Sequence, residues 1–312
     1  MKYDTVFMGT APFGFPVMRD LKERDRINLK GVFTQPDRKK GRGQKTSSPP
    51  VAEFARELDI PLYQPADIND EGLDQLETLG GLDLIFVIAY GQFLSEEVFG
   101  IPRIGCFNFH ASLLPRWRGA APIRHTLLHG DERTGVTVFQ LDEDMDTGPV
   151  CIQKPTPVES NENYGELYER LSQLNVRVLD ELLKQIENDS LQCEPQRGEP
   201  TYAPQISKED TRIQWDQSVR QIRDRVRAFS PEPGSFTMLG DDRYKIYAVD
   251  IEKTTTDLTP GTIVQCSNKT LSVVGLDGLV HLKEIQPAGS DKMSVEAFLA
   301  GQPDLEEGNR FQ

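Results

Sequence analysis

The stretch Leu84-Ile85-Phe86-Val87-Ile88-Ala89 decides the fold of this chain, because every side chain in it is apolar. A strand with one face in water alternates apolar and polar residues, whereas a strand covered on both faces does not. Strands covered on both faces are typical of the centre of a parallel sheet. The stretch therefore predicts an α/β domain with helices on both sides of its sheet.

Strand patterns and helix patterns alternate on either side of this stretch, as they do in parallel α/β sheets. We predict strands at residues 5–8, 29–34, 82–89, 106–110 and 137–141, and helices at 13–23, 51–58 and 164–187. The first half of the chain is therefore expected to form a Rossmann-like, mostly parallel sheet.

The pattern changes after residue 187. Residues 188–204 are polar, contain three prolines and show no periodicity, which is typical of an interdomain linker. An amphipathic helix at 216–229 and short strands with turns over 234–284 then predict a smaller OB-like β-barrel domain. We expect a catalytic domain at 1–189, a linker at 190–206 and a barrel domain at 207–312.

Charge is unevenly distributed along the chain. Its 312 residues include 35 Lys and Arg against 49 Asp and Glu, a formal net charge of −14, so the chain as a whole should repel nucleic acid. The exception is Arg38-Lys39-Lys40-Gly41-Arg42-Gly43-Gln44-Lys45, which has five basic residues in eight positions and no acid. Such a run is often only a solvated loop. Against so acidic a background it is also a candidate phosphate contact.

The cysteines and the hydropathy of the chain indicate its compartment. Four scattered cysteines without a Cys-x-x-Cys pair predict neither a zinc site nor a disulfide framework, and they suit a reducing cytoplasm. No apolar run approaches the roughly 20 residues that span a bilayer. The first residues lead directly into a strand pattern without a signal peptide. We therefore expect a cytoplasmic protein without a membrane partner.

The residues best suited to chemistry follow the predicted strand at 106–110. Asn108 and His110 are two positions apart, so on a strand both side chains project to the same side. Taken alone, the pair is better explained as polar residues that cap a strand end, because most histidines have no catalytic role. Asp146, in the turn Asp146-Thr147-Gly148, could reach His110 from another loop and favour its charged form. Such a set suits acyl transfer without a covalent intermediate. Asn108 and His110 would stabilise an oxyanion, while Asp146 orients His110 and helps to move protons.

Three other kinds of site do not fit the sequence. Gly9-Thr10-Ala11-Pro12-Phe13-Gly14 lacks the dinucleotide-binding glycine pattern, and no acidic residue closes the second strand. The acidic run at 142–146 resembles a calcium loop, but Thr147 and Gln153 stand where glycine and glutamate are needed. No serine nucleophile elbow is present, and no cysteine lies in an activating context.

Several separated motifs of the chain match those of a known family: Phe7-Met8-Gly9-Thr10, Thr34-Gln35-Pro36-Asp37 with Gly41-Arg42-Gly43, Ala89-Tyr90-Gly91, the block at 108–123, Asp146-Thr147-Gly148 and Arg227-Ala228-Phe229. On these motifs the chain resembles, over essentially its full length, the methionyl-tRNA formyltransferases, a family of 10-formyltetrahydrofolate-dependent formyltransferases. The block at 108–123 and the turn at 146–148 are common to all such formyltransferases, so they indicate the chemistry alone. The basic loop and the second domain narrow the family to the tRNA enzymes.

The resemblance implies formyl transfer from 10-formyltetrahydrofolate to the α-amino group of methionyl initiator tRNA, with Asn108, His110 and Asp146 as the catalytic residues. The folate-binding residues it implies are Ala89, Tyr90, Gly91, Phe93, Leu94, Ser112, Leu113, Leu114, Pro115, Asp142 and Gly148. The tRNA-binding residues are Arg38, Lys39, Lys40, Arg42, Lys45 and Lys208. We expect no metal and a monomeric protein.

Other functions remain open at this point. The same chemistry could serve a small amine, such as an amino sugar nucleotide or glycinamide ribonucleotide, or water could replace the amine in a formyltetrahydrofolate hydrolase. A folate- or RNA-binding protein without turnover is an alternative of a different class. The basic loop is the feature that favours tRNA, and the Asn108, His110 and Asp146 set is the feature that favours an enzyme.

Overall fold

A computed structural model describes residues 2–40, 45–267, 269–301 and 305–312. The chain folds into two compact units. The first comprises Met1–Gly119, Arg133–Pro157 and Tyr168–Tyr202, and the second comprises Ala120–Glu132, Val158–Leu167 and Ala203–Gln312. The second unit therefore combines two short segments, 120–132 and 158–167, with the later part of the chain. The domain boundaries proposed from the sequence, 1–189, 190–206 and 207–312, stay a prediction.

The first unit is built around a seven-stranded sheet. In chain order its strands and those of a small hairpin are β1 (Tyr3–Gly9), β2 (Ile27–Phe33), β3 (Arg38–Lys40), β4 (Lys45–Ser47), β5 (Leu62–Tyr63), β6 (Leu84–Ile88), β7 (Gly105–His110), β8 (Arg133–Gln140) and β9 (Val150–Pro157). The sheet order is β5-β2-β1-β6-β7-β8-β9, and β3 and β4 form a separate two-stranded sheet. Neighbours from β5 to β7 are parallel, whereas β8 and β9 are antiparallel additions. The prediction of a mostly parallel sheet is confirmed.

Helices cover this sheet. They are α1 (Phe15–Glu23), preceded by a 3-10 turn, α2 (Pro50–Glu57), α3 (Glu71–Leu79), α4 (Glu96–Phe99) and most of α6 (Tyr164–Glu187), while α5 (Pro122–Leu128) belongs to the second unit. All five residues of β6 are buried, as expected for a strand that is apolar on both faces. On one face Ile85 and Val87 pack with Leu76 of α3 and Val98 of α4. Full burial of such side chains stabilises a fold by roughly 1.5–3 kcal/mol each. Within the described ranges, no helix is long and apolar enough to span a bilayer.

The basic loop begins and ends in the hairpin of β3 and β4. Arg38 pairs with Ser47 and Lys39 with Thr46. At the base of the hairpin, Gln64 Nε2 donates to the carbonyl oxygen of Gln35 (3.0 Å) and to Asp37 Oδ1 (2.8 Å). Hydrogen bonds from Gln64 and Ser48 hold the pKa of Asp37 below its usual value. Residues 41–44, which include Arg42, lie outside the described residues.

The second unit is an antiparallel sheet with helices packed on it. Its elements, besides α5, are α7 (Val219–Ala228), β10 (Ser235–Leu239), β11 (Asp242–Lys253), β12 (Ile263–Ser267), β13 (Thr270–Gly275), β14 (Gly278–Pro287), β15 (Met293–Ser294) and α8 (Val295–Ala300). The order is β10-β11-β14-β13-β12, with β15 beside β14. Ile222 and Val226 of α7 are buried in a core with Val273 of β13 and Val280 of β14. The predicted second domain of antiparallel strands is confirmed.

The last residues of the chain close this sheet. Gln312 exchanges two backbone hydrogen bonds with Met238 of β10, at 2.8 and 3.1 Å. On the other side, Ile263 at the start of β12 donates to the carbonyl of Asn309 (2.8 Å) and Phe311 donates to Gly261 (3.0 Å). The terminal segment therefore pairs with both edges of the sheet and makes it a barrel.

A disulfide joins Cys151 and Cys193, so the expectation that the cysteines form no disulfide is wrong. The two residues lie opposite each other, next to Val150 and Glu194, whose backbone groups bond reciprocally at 2.7 and 2.9 Å. Opposed residues beside such a pair have closely spaced Cα atoms, and here the Cα atoms are 4.0 Å apart. No local sequence pattern marks this pair, because the cysteines are 42 positions apart and all of α6 lies between them.

We expect two titratable thiols in the denatured, unreduced chain, since Cys106 and Cys266 are the free cysteines of the described structure. A colorimetric thiol assay in denaturant measures this number. After treatment with a dithiol reductant, the same assay should give four thiols, the total in the sequence. Four thiols before reduction would contradict the disulfide.

Candidate active site

Asn108 and His110 lie on β7, the last parallel strand before the sheet turns antiparallel. The alternation of a strand places them on one face, while Phe109 on the other face meets Phe86 edge to face at 5.9 Å. His110 is almost fully buried, with 7% of its side chain exposed. Asn108 is half-buried, and within the described ranges its side-chain amide makes no hydrogen bond. The strand therefore presents one fixed imidazole and one amide that is available to a ligand.

The His110 ring lies between two loops. Its Nε2 is 2.8 Å from the carbonyl oxygen of Trp117, and because a carbonyl only accepts, Nε2 carries a proton and donates. Its Nδ1 faces Asp146 Oδ2 at 3.6 Å, a distance longer than a hydrogen bond. The ring is therefore held between the Trp117 carbonyl and the Asp146 carboxylate.

Asp146 is held by backbone groups on a tight loop. Its carboxylate accepts a hydrogen bond from the amide of Gly119 (2.7 Å), and its own backbone has φ of +55°, which is unfavourable for a residue with a Cβ. In the same loop Thr147 Oγ1 donates to Asp142 Oδ1 (2.7 Å). A Cβ at Gly148 would lie 1.8 Å from the carbonyl oxygen of Gln140, so this close approach requires glycine. The structure brings Asn108, His110 and Asp146 together and gives Asp142 and Gly148 a role in loop shape.

The turn after β6 contains five of the proposed folate-binding residues. Thr10 of the first loop holds this turn, donating from its amide to Ala89 (3.0 Å) and from its hydroxyl to the carbonyl of Tyr90 (2.6 Å). Tyr90 and Leu94 point into the core, and burial raises the pKa of the Tyr90 phenol well above its ordinary value, with a smaller effect from Asp67. Ala89 and Gly91 are exposed and both have positive φ. Phe93 is 59% exposed. The turn therefore offers backbone and one phenyl ring to a ligand.

The segment at 112–115 uses its polar groups internally. Ser112 Oγ donates to the carbonyl of Arg116 (2.6 Å). Thr137 Oγ1 donates to the carbonyl of Ser112 (2.6 Å) and accepts from the amide of Leu114 (3.2 Å). Leu114 is buried and is followed by a cis bond to Pro115, whereas Leu113 and Pro115 are partly exposed. These contacts fix the path of the chain from His110 to Trp117.

The basic residues proposed for tRNA binding are divided between the two units. Arg38 and Lys39 are exposed on β3, and the Arg38 guanidinium donates to Gln35 Oε1 (2.7 Å). Lys40 and Lys45 are paired through their backbones at the end of the hairpin. Arg42 is not among the described residues. Lys208 is exposed in the second unit.

Three residues of the site were missed in the sequence. Trp117 supplies the carbonyl that fixes His110, Gly119 supplies the amide that holds Asp146, and Gln196 binds the backbone of the Asp146 loop. Two of these roles belong to the main chain, whose groups carry no residue-specific signal. Gln196 lies in the polar segment that was interpreted as a linker. Across the described part of the chain, no group of three His, Cys, Asp or Glu side chains could hold a metal ion.

Comparison with known proteins identifies the class. Residues 3–183 match the family Formyl transferase, and residues 205–303 match Formyl transferase, C-terminal domain. The chain therefore belongs to the formyl transferase family.

Particular relatives are similar over nearly the full length. The chain is 41% identical over 307 residues to the methionyl-tRNA formyltransferase of Kosmotoga olearia, with 97% of each protein covered. It is 40% identical over 310 residues to that of Legionella pneumophila, with 98% of each covered. Among solved structures, the sugar 3N-formyl transferase WlaRD aligns with a TM-score of 0.66 at 18% identity, over 93% of this chain and 99% of that one. At that identity the likeness shows the fold alone. The family resemblance inferred from the sequence is confirmed.

Replacing Gly148 with alanine should destabilise the first unit, because the new methyl group cannot fit against the Gln140 carbonyl. We expect the free energy of unfolding to fall by about 1–3 kcal/mol, measured by denaturant titration. Gly301→Ala is the matched control, since its φ is −74° and the nearest atom to its Cβ is 3.3 Å away. Equal stability of Gly148→Ala and the wild-type chain would show that the loop does not approach Gln140 this closely.

Proposed function

We propose that this chain transfers the formyl group of 10-formyltetrahydrofolate to the α-amino group of methionyl initiator tRNA. The observation that carries the chemistry is the placement of His110 between Asp146 and the Trp117 carbonyl, next to the unengaged Asn108 amide. The choice of acceptor is supported by relatives that carry the name methionyl-tRNA formyltransferase and are about 40% identical over nearly the whole chain.

The three side chains divide the chemistry among them. As the amine nitrogen bonds to the formyl carbon, Asn108 and His110 donate hydrogen bonds to the oxygen that gains negative charge. His110 uses Nδ1 for this, because Trp117 already engages Nε2 and the 3.6 Å gap leaves Nδ1 free of a strong bond to Asp146. Asp146 accepts the proton that the amine loses and returns it to N10 as the bond between the formyl carbon and N10 breaks. Each oxyanion donor contributes about 100-fold to 1000-fold in rate.

The folate cleft is proposed to lie between the turn at 89–94 and the loop at 142–148. The turn presents exposed main chain and the Phe93 ring, which suit the amide-rich and aromatic parts of a folate. Met145, on the loop at 142–148, is a further exposed apolar group that is available to a ligand. The formyltransferase WlaRD, which shares the fold, was crystallised in the presence of 5-N-formyl-THF. The remaining folate-binding residues proposed from the sequence belong to this cleft.

Contact with tRNA is proposed for the basic hairpin and for the second unit. Arg38 and Lys39 are exposed cations in a strongly acidic chain, and Lys208 is an exposed cation of the second unit. Phosphate contacts of this kind supply most of the salt-dependent affinity for nucleic acid. A translation enzyme of this type acts in the cytoplasm, and we propose that it acts as a monomer.

The acceptor is tested by supplying 10-formyltetrahydrofolate with each candidate amine in turn. We expect formyl-methionyl-tRNA to form with charged initiator tRNA, detected by acid-gel mobility. We expect no product with a dTDP-linked amino sugar. Formylation of the amino sugar alone would overturn the proposal and assign the chain to small-amine chemistry, whose fold it shares.

Asp146→Asn should reduce the turnover number by about 100-fold to 10,000-fold, because the amide cannot accept the amine proton. Single-turnover formylation with saturating substrates measures the effect. Asp25→Asn is the control, since Asp25 is an exposed aspartate of the first unit outside the proposed cleft. Thermal unfolding of both variants should match the wild type. Near-normal turnover in Asp146→Asn would remove Asp146 from the mechanism.

Arg42→Ala should weaken the use of tRNA while leaving the folate site intact. If Arg42 contacts one phosphate, the slope of log affinity against log salt concentration should fall by about one. Arg26→Ala is the control, because Arg26 is an exposed arginine of the first unit that pairs with Glu187. An unchanged KM for tRNA and an unchanged salt slope would show that Arg42 belongs to a solvated loop that does not contact tRNA.

A further inference from the structure

Residues 193–202, which we call the strap, contact β9 and the two loops that carry Trp117 and Asp146. At its start the strap is tied to β9 by the Cys151–Cys193 disulfide and by the backbone pair of Val150 and Glu194. At its end Thr201 donates from its amide to Pro115 (3.2 Å) and accepts at Oγ1 from the amide of Trp117 (2.9 Å). The strap thus contacts the loop that fixes His110, although it was predicted to be a linker.

Gln196 is the strap residue that reaches both loops. Its Oε1 accepts two hydrogen bonds from the Arg118 guanidinium, at 3.1 and 2.7 Å. Its Nε2 donates to the backbone carbonyls of Asp146 (2.8 Å) and Gly148 (3.0 Å). A guanidinium only donates and a carbonyl only accepts, so all four bonds agree on one orientation of the amide. The side chain is therefore a fixed clamp between the two loops.

The clamp acts where the backbone needs support. Asp146 and Trp117 both have positive φ, at 55° and 64°, and such conformations persist only when the surroundings fix them. Gln196 holds the carbonyl of Asp146, and Gly119, the residue after Arg118, holds its carboxylate. The distance between Asp146 and the His110 ring is therefore set from two sides.

We propose that Gln196 is a positioning residue for formyl transfer, which holds the Asp146 carboxylate at its distance from His110. The proposal rests on the proposed function. Gln196 touches no reacting atom and acts through the backbone of Asp146. A strap with a purely structural role would affect stability without changing the chemical step.

Gln196→Ala removes the hydrogen bonds to both loops. Gln196→Glu keeps the bonds from Arg118 but loses those to the carbonyls of Asp146 and Gly148. Glutamate keeps an oxygen for Arg118 but places a second oxygen opposite the carbonyls of Asp146 and Gly148. Both variants should lower kcat by about 10-fold to 100-fold, since misplacement of a catalytic group by about 1 Å has effects of this size. KM values for 10-formyltetrahydrofolate and for methionyl-tRNA should change by less than about threefold, because the substitutions do not alter the contacts that bind the two substrates in the ground state. Gln173→Ala, on the exposed surface of α6, is the control.

Whether Gln196 acts through Asp146 is tested by combining substitutions at the two positions. In an Asp146→Asn chain, Gln196→Ala should lower the remaining rate by less than about threefold, because the group that it positions is already gone. The same fold-loss in both backgrounds would overturn the proposal. Wild-type kcat in Gln196→Glu would overturn it as well.

A readout without substrates separates this inference from the proposed function. Hydrogen exchange of the Gly119 amide, followed by NMR, should accelerate in Gln196→Ala but not in Gln173→Ala, because the bond to Asp146 is loosened. If the wild-type chain formylates methionyl-tRNA but Gln196→Ala changes neither kcat nor the exchange rate of the Gly119 amide, only the positioning role of Gln196 is overturned. A wild-type chain without formyl transfer overturns the proposed function and, with it, the role of Gln196 in the reaction.

Discussion

The apolar character of β6 on both faces is the constraint on which the first unit depends. A strand without a polar face must have helices on both sides and paired strands at both edges, since each unpaired buried backbone group costs about 1–3 kcal/mol. β1 and β7 provide those edges, and all five residues of β6 are buried. Polar side chains of the neighbouring strands are best accommodated towards the strand ends, where loops supply hydrogen-bond partners. Asn108 and His110 lie in the second half of β7, which explains why the candidate site lies there.

The site depends on loops that are stabilised by contacts distant in sequence. His110 joins the loop of Trp117 to the loop of Asp146 through its two ring nitrogens. Neither loop has a favourable backbone by itself, because both residues have positive φ. The strap supplies the missing support through Thr201 and Gln196. The candidate site is thus built from three segments that meet only in the folded chain.

Much of the fold was predictable because its signals are local. The buried strands and the helix at 164–187 carry clear periodicity, and their bounds agree with the structure to within a few residues. The strap carries no such signal, since its residues are polar and it is stabilised by partners rather than by propensity. That is why it was taken for a linker. The same reason explains the missed disulfide, whose cysteines meet only because the strap returns to β9.

The sequence by itself determined the α/β class, the antiparallel second domain, the formyl transferase family and the identity of Asn108, His110 and Asp146 as candidates. These follow from side-chain type and spacing, which act over a few residues or are recognisable as motifs. The tertiary structure decided which ring nitrogen of His110 meets Trp117, how Asp146 is held, and that Gln196 clamps both loops. Those features are main-chain and long-range hydrogen bonds, and their partners are chosen by the path of the whole chain rather than by its local pattern.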